Sequence, residues 1–444
     1  MRPQVNLALF TMLGCLSSAV LAQQSGNPFE SVGDPGEWIV GDPTGDDMVA
    51  PIALAKPEAV PDQSLQQSNE SRSITIGAVS VNSGSQIAGD MLASSYEKFI
   101  GQTASQDMLR DLASAVSEAA RNRGYIFASA QVPPQSVKIG VVEVLLDPGA
   151  IDEVRIIGSN NRRLRKILDQ LECKAALSHE VERQLLLAGD LPGIRVLNSK
   201  YQREDGKGVL IVKVREDKAK GHLRVDNHGP ETLGPIRARL NLDVAGLLTD
   251  SDVLTTNVIS TALQPKELTY INARYAMTLG DGGTVIGFSG AAGRTRSGGN
   301  LSSFNYTGRN RYASVFSSHA LKRSNDFNLW LNAELAYLDV KQSRDGLLFQ
   351  DEQIATASLN FSGNYNVGIG RIYGGVGVTR GLGILGANRS GDSLNSRNDG
   401  SGEFTKANFW INSILNMGDG FGMRLAGNAQ IASRPLLSPN EISI

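Results

Sequence analysis

Histidine and cysteine are the side chains most often used as general bases, nucleophiles and metal ligands, and this chain of 444 residues has few of them. The histidines are far apart in the sequence: His179, His222, His228 and His319. The cysteines are Cys15 and Cys173. Cys15 lies in a signal-like segment, so Cys173 alone can form neither an internal disulfide nor a metal cluster. We expect Cys173 to be a small buried apolar residue.

Two other patterns resemble binding motifs but lack their spacing. Asp42, Asp46 and Asp47 do not follow the ligand order of a calcium-binding loop, and a solvated linker explains them better. The glycines at 375, 377 and 381 lie inside strand-like sequence, so they do not form a dinucleotide-binding loop. Glycine there eases strand curvature and close strand contact. We expect no cofactor, no metal site and no enzymatic activity.

The composition argues against two further classes of protein. Lys and Arg number 43 against 45 Asp and Glu, so no basic excess exists to hold a nucleic-acid backbone. No stretch of about 18 apolar residues is present, which argues against membrane-spanning helices. The chain is long enough for two or more folding units.

The N-terminal residues predict export from the cytoplasm. Residues 1–22 have a positive Arg2, a short apolar stretch and a small-residue cleavage site before Gln23, as a secretory signal peptide does. The sequence around Cys15 offers a lipoprotein signal as the weaker alternative. Residues 23–72 are rich in Gly, Pro, Asp and Ser, and their recurring prolines predict a flexible linker.

One pattern of elements occurs twice after the linker. In residues 73–147 a strand, two helices and two strands follow one another, and the second helix has a cap at Ser105 and ends at Gly124. Residues 148–217 repeat this order, with Ser178 as the predicted helix cap. Each copy is predicted to be an α+β module of β-α-α-β-β order, in which two helices cover one face of a small sheet.

From residue 218 to 444 the helical period disappears, and long segments of alternating polar and apolar residues follow. A strand that crosses a membrane needs about 9 to 11 residues, more than the 5 or 6 usual in soluble sheets. The polar face carries charges and amides, which a water-filled lumen tolerates. We therefore predict an antiparallel transmembrane β-barrel with about eleven strands present. The residues predicted to face its lumen are Asn272, Arg274, Asn332, Glu334, Arg424 and Asn428.

Several motifs in the chain resemble those of one known family. They are Gly-Tyr at 124–125, Val-Pro-Pro-Gln at 132–135, GVVEV at 140–144, LLLAGDLPG at 185–193, VDNHG at 225–229 and GLLTDSD at 246–252. In combination they resemble the two-partner secretion transporters of the hemolysin secretion/activation class, the ShlB/FhaC/HecB-like family. Members of this family have periplasmic POTRA domains followed by an outer-membrane barrel.

The resemblance implies secretion of a large, unfolded, β-rich exoprotein of hemolysin or adhesin type across the outer membrane. Outer-membrane lipid and the barrel assembly machinery are the other implied partners; nucleic acid is not one, and the chain is expected to be monomeric. An exposed strand edge can bind an extended client by β-augmentation. The candidate docking residues are Ala128, Ser129, Ala130, Gln131 and Val132 in the first module and Ile194, Arg195 and Val196 in the second.

Two features depart from the family's pattern. The prolines of residues 23–61 do not predict the N-terminal plug helix that is common in the family. The family's Val-Arg-Gly-Tyr/Phe motif and the closing strands of its sixteen-strand barrel are absent, so we expect an incomplete barrel. Two alternatives stay open: an outer-membrane protein assembly or insertion factor of the same superfamily, and a passive porin or adhesin barrel.

Overall fold

The computed structural model describes residues 5–6, 75–84, 87–135, 140–418 and 420–441. The predicted signal peptide and linker lie outside the described residues, apart from a two-residue strand, β1 (Val5–Asn6). The chain divides into two compact units, one made of Pro51–Asp190 with Ile194–Glu216 and the other containing Asp217–Ile444. No helix among the described residues is both long and apolar enough to cross a membrane.

The first module has the predicted β-α-α-β-β order. Its elements are β2 (Ala78–Asn82), α1 (Ala93–Tyr96), α2 (Gln106–Asn122), β3 (Ser129–Gln131) and β4 (Val141–Asp147). The sheet order is β2-β4-β3, with β2 parallel and β3 antiparallel to the central strand. The first of the two predicted helices is short: α1 is one turn between two 3-10 turns.

Helix α2 forms where the sequence predicts it, because its cap and its apolar spacing agree. The Ser105 hydroxyl accepts the Met108 backbone N–H at 3.2 Å, which satisfies a donor that the helix leaves free. Leu112 and Val116, four residues apart, are fully buried on one face of α2. The helix ends at Asn122, and Gly124 follows with a φ of +98°, a conformation that favours glycine.

The second module repeats this order with small additions. Its elements are β5 (Ala150–Ile151), β6 (Glu153–Ile157), α3 (Arg162–Leu168), β7 (Lys174–Ala175), α4 (Ser178–Gly189), β8 (Ile194–Glu204) and β9 (Lys207–Glu216). The sheet order is β6-β9-β8, and β5 pairs with β7 separately.

Two predictions about the second module are wrong. Cys173 is exposed rather than buried, because it forms a turn with a φ of +60° and donates its backbone N–H to Ile151 O at 2.7 Å. Ser178 does not cap α4: the residue at the cap position is Leu177. The Ser178 backbone N–H instead donates to Gly124 O of the first module at 2.7 Å.

The two modules share a packed junction within their unit. The rings of Phe127 and Tyr201 stack with centroids 4.0 Å apart and planes within 5°. The Tyr201 hydroxyl donates to Ala150 O at 3.1 Å. Gly149, with a φ of +76°, passes so close to Phe127 that a Cβ would lie 2.5 Å from its carbonyl carbon. The Gly-Tyr signature at 124–125 precedes Phe127 in the segment between α2 and β3, which contacts the second module.

The second unit is one sheet of long antiparallel strands. They are β10 (Ala219–Asp226), β11 (Arg237–Ala245), β12 (Asp252–Thr261), β13 (Leu268–Leu279), β14 (Thr284–Arg296), β15 (Tyr306–Lys322), β16 (Phe327–Arg344), β17 (Leu347–Asn366), β18 (Gly370–Leu382), β19 (Thr405–Gly418) and β20 (Phe421–Ala432). Each pairs with its neighbours in sequence, and β1 pairs with β20. The predicted number of eleven long strands is confirmed, and the sheet of the described residues is not closed.

The two ends of this sheet differ in the length of their connections. At the entry end, where β10 begins, the connections include the short turns 280–283, 323–326 and 367–369. At the far end they include residues 227–236, 297–305 and 383–404. Short turns on the periplasmic side and longer loops outside are typical of bacterial outer-membrane barrels.

Candidate functional site

The pairing register divides the long sheet into two chemically different faces. Directly opposed residues of antiparallel strands point to the same side, so the register carries a face from one strand to the next. Followed from β13 to β20, it places all six predicted lumen residues on one face, which we call the polar face. The sequence pattern alone shows only that two such residues lie on the same side of one strand. The register shows that these sides of β13, β16 and β20 belong to one face of the sheet.

The opposite, apolar face exposes large hydrophobic side chains along most of the sheet. They are Leu223, Val225, Leu240, Leu242, Ile271, Phe288, Val315, Leu335, Leu359, Phe361, Val376, Val378, Phe409, Ile411, Leu425 and Ile431. Leu335 is 61% exposed and Val315 63% exposed. A contiguous apolar surface of this size marks a membrane or protein contact rather than a water-facing wall. Ten of the eleven long strands, from β11 to β20, have 9 to 20 residues, which is long enough to cross a bilayer.

Asparagine amides form rows across the polar face. Asn241, Asn257 and Asn272 oppose one another directly on β11, β12 and β13. Asn332 and Asn360 oppose one another on β16 and β17. A side-chain amide both donates and accepts hydrogen bonds, so such rows present water or an extended chain with both kinds of group.

Asn332 is held firmly, whereas Asn272 is held loosely. The Asn332 amide donates to Ser362 Oγ at 2.9 Å, and its oxygen accepts from Ser318 Oγ at 2.7 Å. The Asn272 amide reaches its two acceptors on β14 only at 3.4 Å. Both side chains are buried, with 5% and 6% exposure respectively. Asn332 is therefore part of the fixed wall, and Asn272 is freer to exchange partners.

Arg274 and Glu334 lie in a single aromatic cluster of the polar face. The Arg274 guanidinium lies over the Phe316 ring, 4.0 Å from its centroid. The Tyr312 hydroxyl donates to Glu334 Oε1 at 2.5 Å. An arginine stacked on an aromatic ring keeps donors free for other partners. Tyr312 and Phe316 were missed as site residues, although the period of two along β15 places both on the polar side of the strand.

The other two predicted lumen residues lie near the edge of the sheet. Arg424 and Asn428 are exposed on β20, opposite Ile414 and Trp410 of β19. No ion pair is seen for Arg424 in the described part of the chain. They share the polar face with the other four residues but lie outside the aromatic cluster of Arg274 and Glu334.

The docking strand predicted in the first module is an edge strand, but its outer side is partly occupied. β3 covers Ser129–Gln131, so Ala128 and Val132 flank the strand, and Ala128 is fully buried. The Ala130 backbone N–H donates to Ser117 Oγ of α2 at 2.7 Å. The Ala128 carbonyl accepts from Arg121 Nε at 3.0 Å. Ser117 and Arg121 were not predicted as site residues, because contacts between a helix and a distant strand leave no local sequence pattern.

Gln135 of the Pro-Pro-Gln motif continues the ladder after β3 has ended. Its amide nitrogen donates to Glu143 O at 2.7 Å, and its amide oxygen accepts the Glu143 N–H at 2.9 Å. Pro133 and Pro134 have no backbone N–H, so the main chain cannot supply this pairing. The glutamine side chain therefore acts as a strand residue that holds β4 while the backbone turns away.

The docking strand predicted in the second module is longer and more open. β8 is the edge of its sheet, with Ile194 buried and Arg195 exposed, and its register shifts between Val196 and Asn198. Leu197 lies at this bulge and is 57% exposed. Among the described residues, Leu197, Asn198 and Ser199 show no hydrogen bond outside the β8–β9 ladder. A bulge re-aims side chains, here an apolar one, at the sheet edge.

An ion pair fixes the far end of β8. The Arg155 guanidinium of β6 donates to both carboxylate oxygens of Glu204 at 3.1 Å. The hydrogen bonds from Arg155 hold the pKa of Glu204 below its usual value. Because Arg155 and Glu204 belong to the two outer strands of the sheet, this pair ties β8 across β9 to β6.

Comparisons with known proteins agree with this architecture. Residues 206–444 match the family described as haemolysin secretion/activation protein ShlB/FhaC/HecB, and residues 74–149 match the POTRA domain of ShlB type. The heme/hemopexin transporter protein HuxB of Haemophilus influenzae strain 86-028NP is 24% identical over 294 residues. That match covers 64% of this chain and 51% of HuxB, so the chain spans about half the length of this relative.

A solved structure shares the fold. CdiB from Escherichia coli superposes with a TM-score of 0.60 at 16% identity, covering 88% of this chain and 72% of CdiB. The family match includes more than half of the chain. The chain therefore belongs to the haemolysin secretion/activation family ShlB/FhaC/HecB, whose fold is an outer-membrane β-barrel with periplasmic POTRA domains.

Proposed function

We propose that this chain is the transporter of a two-partner secretion system. Its POTRA modules, residues 73–147 and 148–217, bind an unfolded, β-rich exoprotein of hemolysin or adhesin type in the periplasm. The client then passes along the polar face of the barrel to the cell surface. The observation that carries the proposal is the sheet with one amide-rich face and one exposed apolar face, in the same chain as two modules whose sheets end in edge strands.

We propose β8 as the main docking edge. The outer backbone groups of β3 are partly taken by Ser117 and Arg121, which reduces what that strand can offer a client. After its bulge, β8 keeps a regular register from Asn198 to Glu204, long enough to pair with an extended segment. Main-chain pairing tolerates many client sequences, and the exposed Leu197 adds an apolar contact.

The polar face gives the client a path lined with water and hydrogen-bonding groups. Amides such as those of Asn257 and Asn272 can exchange hydrogen bonds between water and a moving backbone, so no single contact holds the client tightly. The periplasm contains no ATP, so folding of the client outside the cell supplies the direction of transport. No step of this proposal needs catalysis by the chain. A monomer suffices, and the barrel assembly machinery inserts it.

Deletion of residues 73–216 separates the proposal from its alternatives. For an exporter, one exoprotein disappears from the culture medium while other outer-membrane proteins assemble normally. An assembly factor would instead cause a general loss of outer-membrane barrels. A passive porin would keep its conductance and leave secretion unchanged, and either of these results would sink the proposal.

The docking edge is tested by a matched pair of variants. Leu197→Asp places a charge beside the proposed edge, and Ile157→Asp does the same on β6, the opposite edge of the same sheet, where Ile157 is 46% exposed. We expect Leu197→Asp to weaken binding of the unfolded exoprotein by about tenfold, the equivalent of about 1.4 kcal/mol. Ile157→Asp should bind as the parent does. Equal effects of the two variants would exclude β8 as the specific edge.

A further inference from the structure

The apolar face of the long sheet ends in a cluster of arginines at the far end. On β14 the residues of this face are Thr284, Ile286, Phe288, Gly290 and Ala292, followed by Arg294 and Arg296. On β15 the same face carries Arg309 and Arg311 and then returns to Ala313 and Val315. All four guanidinium groups belong to exposed residues. Charge therefore begins abruptly where the apolar surface stops.

These cations oppose one another across the strands. Arg294 lies directly opposite Arg309, and Arg309 lies directly opposite Lys341 of β16. Like charges in directly opposed positions destabilise a sheet, so this row needs a partner of opposite charge. Within the described residues, no hydrogen bond or ion pair is seen for the guanidinium groups of these four arginines.

Three carboxylates lie beside the cluster but do not neutralise it. Glu267, just before β13, accepts the Arg296 backbone N–H through its carbonyl oxygen at 3.0 Å, so its side chain lies near one of the four arginines. Asp351 of β17 accepts from the Lys341 ammonium at 2.8 Å and so is already paired. Asp339 lies opposite Arg311 in the register, and no hydrogen-bond partner is seen for its Oδ1 atom in the described part of the chain. Five cations thus face three carboxylates, and a net positive surface remains beside the apolar face.

The entry end of the same face has a different character. There Phe327 of β16 and Tyr365 of β17 are exposed and directly opposed, with ring centroids 6.4 Å apart. Aromatic side chains at a barrel rim lie at the boundary between hydrocarbon and headgroups. The arginine cluster occupies the corresponding position at the opposite rim, on the outer-leaflet side of the membrane.

We infer that Arg294, Arg296, Arg309 and Arg311 bind the phosphate groups of a lipopolysaccharide-type lipid in the outer leaflet, while its acyl chains lie against the apolar face. Arginine presents a planar fork of donors that fits phosphate oxygens, and a bridging phosphate removes the repulsion between opposed guanidinium groups. An apolar surface continuous with the cluster fits a lipid better than free phosphate. The site lies on the outer wall of the sheet, away from the polar path proposed for the client.

The test measures lipid binding to the full chain in detergent by native mass spectrometry. The probes are bisphosphorylated lipid A, the same lipid A without phosphates, and inorganic phosphate as a competitor. We expect the bisphosphorylated lipid to bind about tenfold or more tightly than the dephosphorylated one, the effect of about 1.4 kcal/mol from charge-assisted contacts. Inorganic phosphate at equal concentration should not compete. Equal binding of the two lipids, or displacement of the lipid by inorganic phosphate, would overturn the proposal.

Two variants and one control localise the site. Arg294→Gln combined with Arg309→Gln should reduce binding of the bisphosphorylated lipid to the level of the dephosphorylated one. Arg309→Lys keeps the positive charge but loses the planar set of guanidinium donors, so it should lose part of the affinity for the bisphosphorylated lipid. This single variant still tests the site if the double variant fails to fold. Arg239→Gln, on the polar face of β11, should bind as the parent does. The site would be refuted if the double variant and Arg309→Lys each bound the bisphosphorylated lipid as tightly as the parent. It would also be refuted if Arg239→Gln lost as much affinity as the double variant.

Discussion

The stacked pair at the junction of the POTRA modules gives the sharpest prediction. Phe127 belongs to the segment between α2 and β3 of the first module, and Tyr201 belongs to β8 of the second. Both are buried, with 2% and 5% exposure, and their ring centroids are 4.0 Å apart. Replacing Phe127 with alanine removes one side of the stack without changing a hydrogen bond. We expect this change to lower the free energy of local opening in both modules.

The size of the effect follows from the burial. Truncation of a fully buried phenylalanine to alanine costs about 3–5 kcal/mol, which includes the loss of the aromatic pair. An opening free energy lowered by about 3 kcal/mol accelerates exchange through that opening by more than about a hundredfold. Tyr201→Phe is the matched control. It keeps the stacked ring and removes only the hydrogen bond to Ala150 O, so it should cost about 1 kcal/mol.

Hydrogen–deuterium exchange of the full chain in detergent, read by mass spectrometry, measures both openings. Phe127→Ala should speed exchange in peptides from β3 and from β8, whereas peptides from β13 to β16 should be unchanged. The reasoning would be refuted if only the β3 peptides responded, because the modules would then open independently. A response of Tyr201→Phe as large as that of Phe127→Ala would also contradict it, since losing a hydrogen bond inside the second module would then matter as much as losing the stack between the modules.

Four further results are expected. Burial raises the pKa of Tyr201 to about 12. The stability that neutral Tyr201 contributes should therefore be complete below pH ~10 and be lost as the pH rises from about 10 to 12. Unfolding at a series of pH values, followed by circular dichroism, measures this loss. Gln135→Ala should speed hydrogen exchange of the Glu143 backbone N–H, which the Gln135 side chain accepts, by up to about tenfold, because one hydrogen bond contributes about 1 kcal/mol. Gly370→Ala should prevent the heat-modifiable folded form from appearing on gels, because its Cβ would overlap the backbone carbonyl of Ile414 on the neighbouring strand, whereas Gly290→Ala has its nearest neighbour at 3.9 Å and should fold normally. Leu335→Lys should cost about 2–4 kcal/mol of stability in lipid if this position faces the hydrocarbon, and an unchanged unfolding midpoint in lipid vesicles would contradict that orientation.

Local chemistry in the sequence determined much of the fold. The Ser105 cap and the spacing of Leu112 and Val116 define α2, because helix capping and apolar periodicity are properties of neighbouring residues. The alternation of residues 327–337 likewise predicts a strand, since side chains of a strand alternate between its faces. Strand length then indicated a membrane-crossing sheet, and the family motifs indicated POTRA modules.

Other features depend on residues that are distant in the sequence, and only the tertiary structure decided them. The exposure of Cys173 and the role of Ser178 follow from contacts with β5 and with the first module, which no local pattern contains. The register decided that Asn272 and Arg424 share a face, and it brought Arg294 opposite Arg309. Periodicity gives the side of one strand on which a residue lies. Which strands pair, and in which register, is set by hydrogen bonds and side-chain packing between strands, and those interactions exist only in the folded sheet.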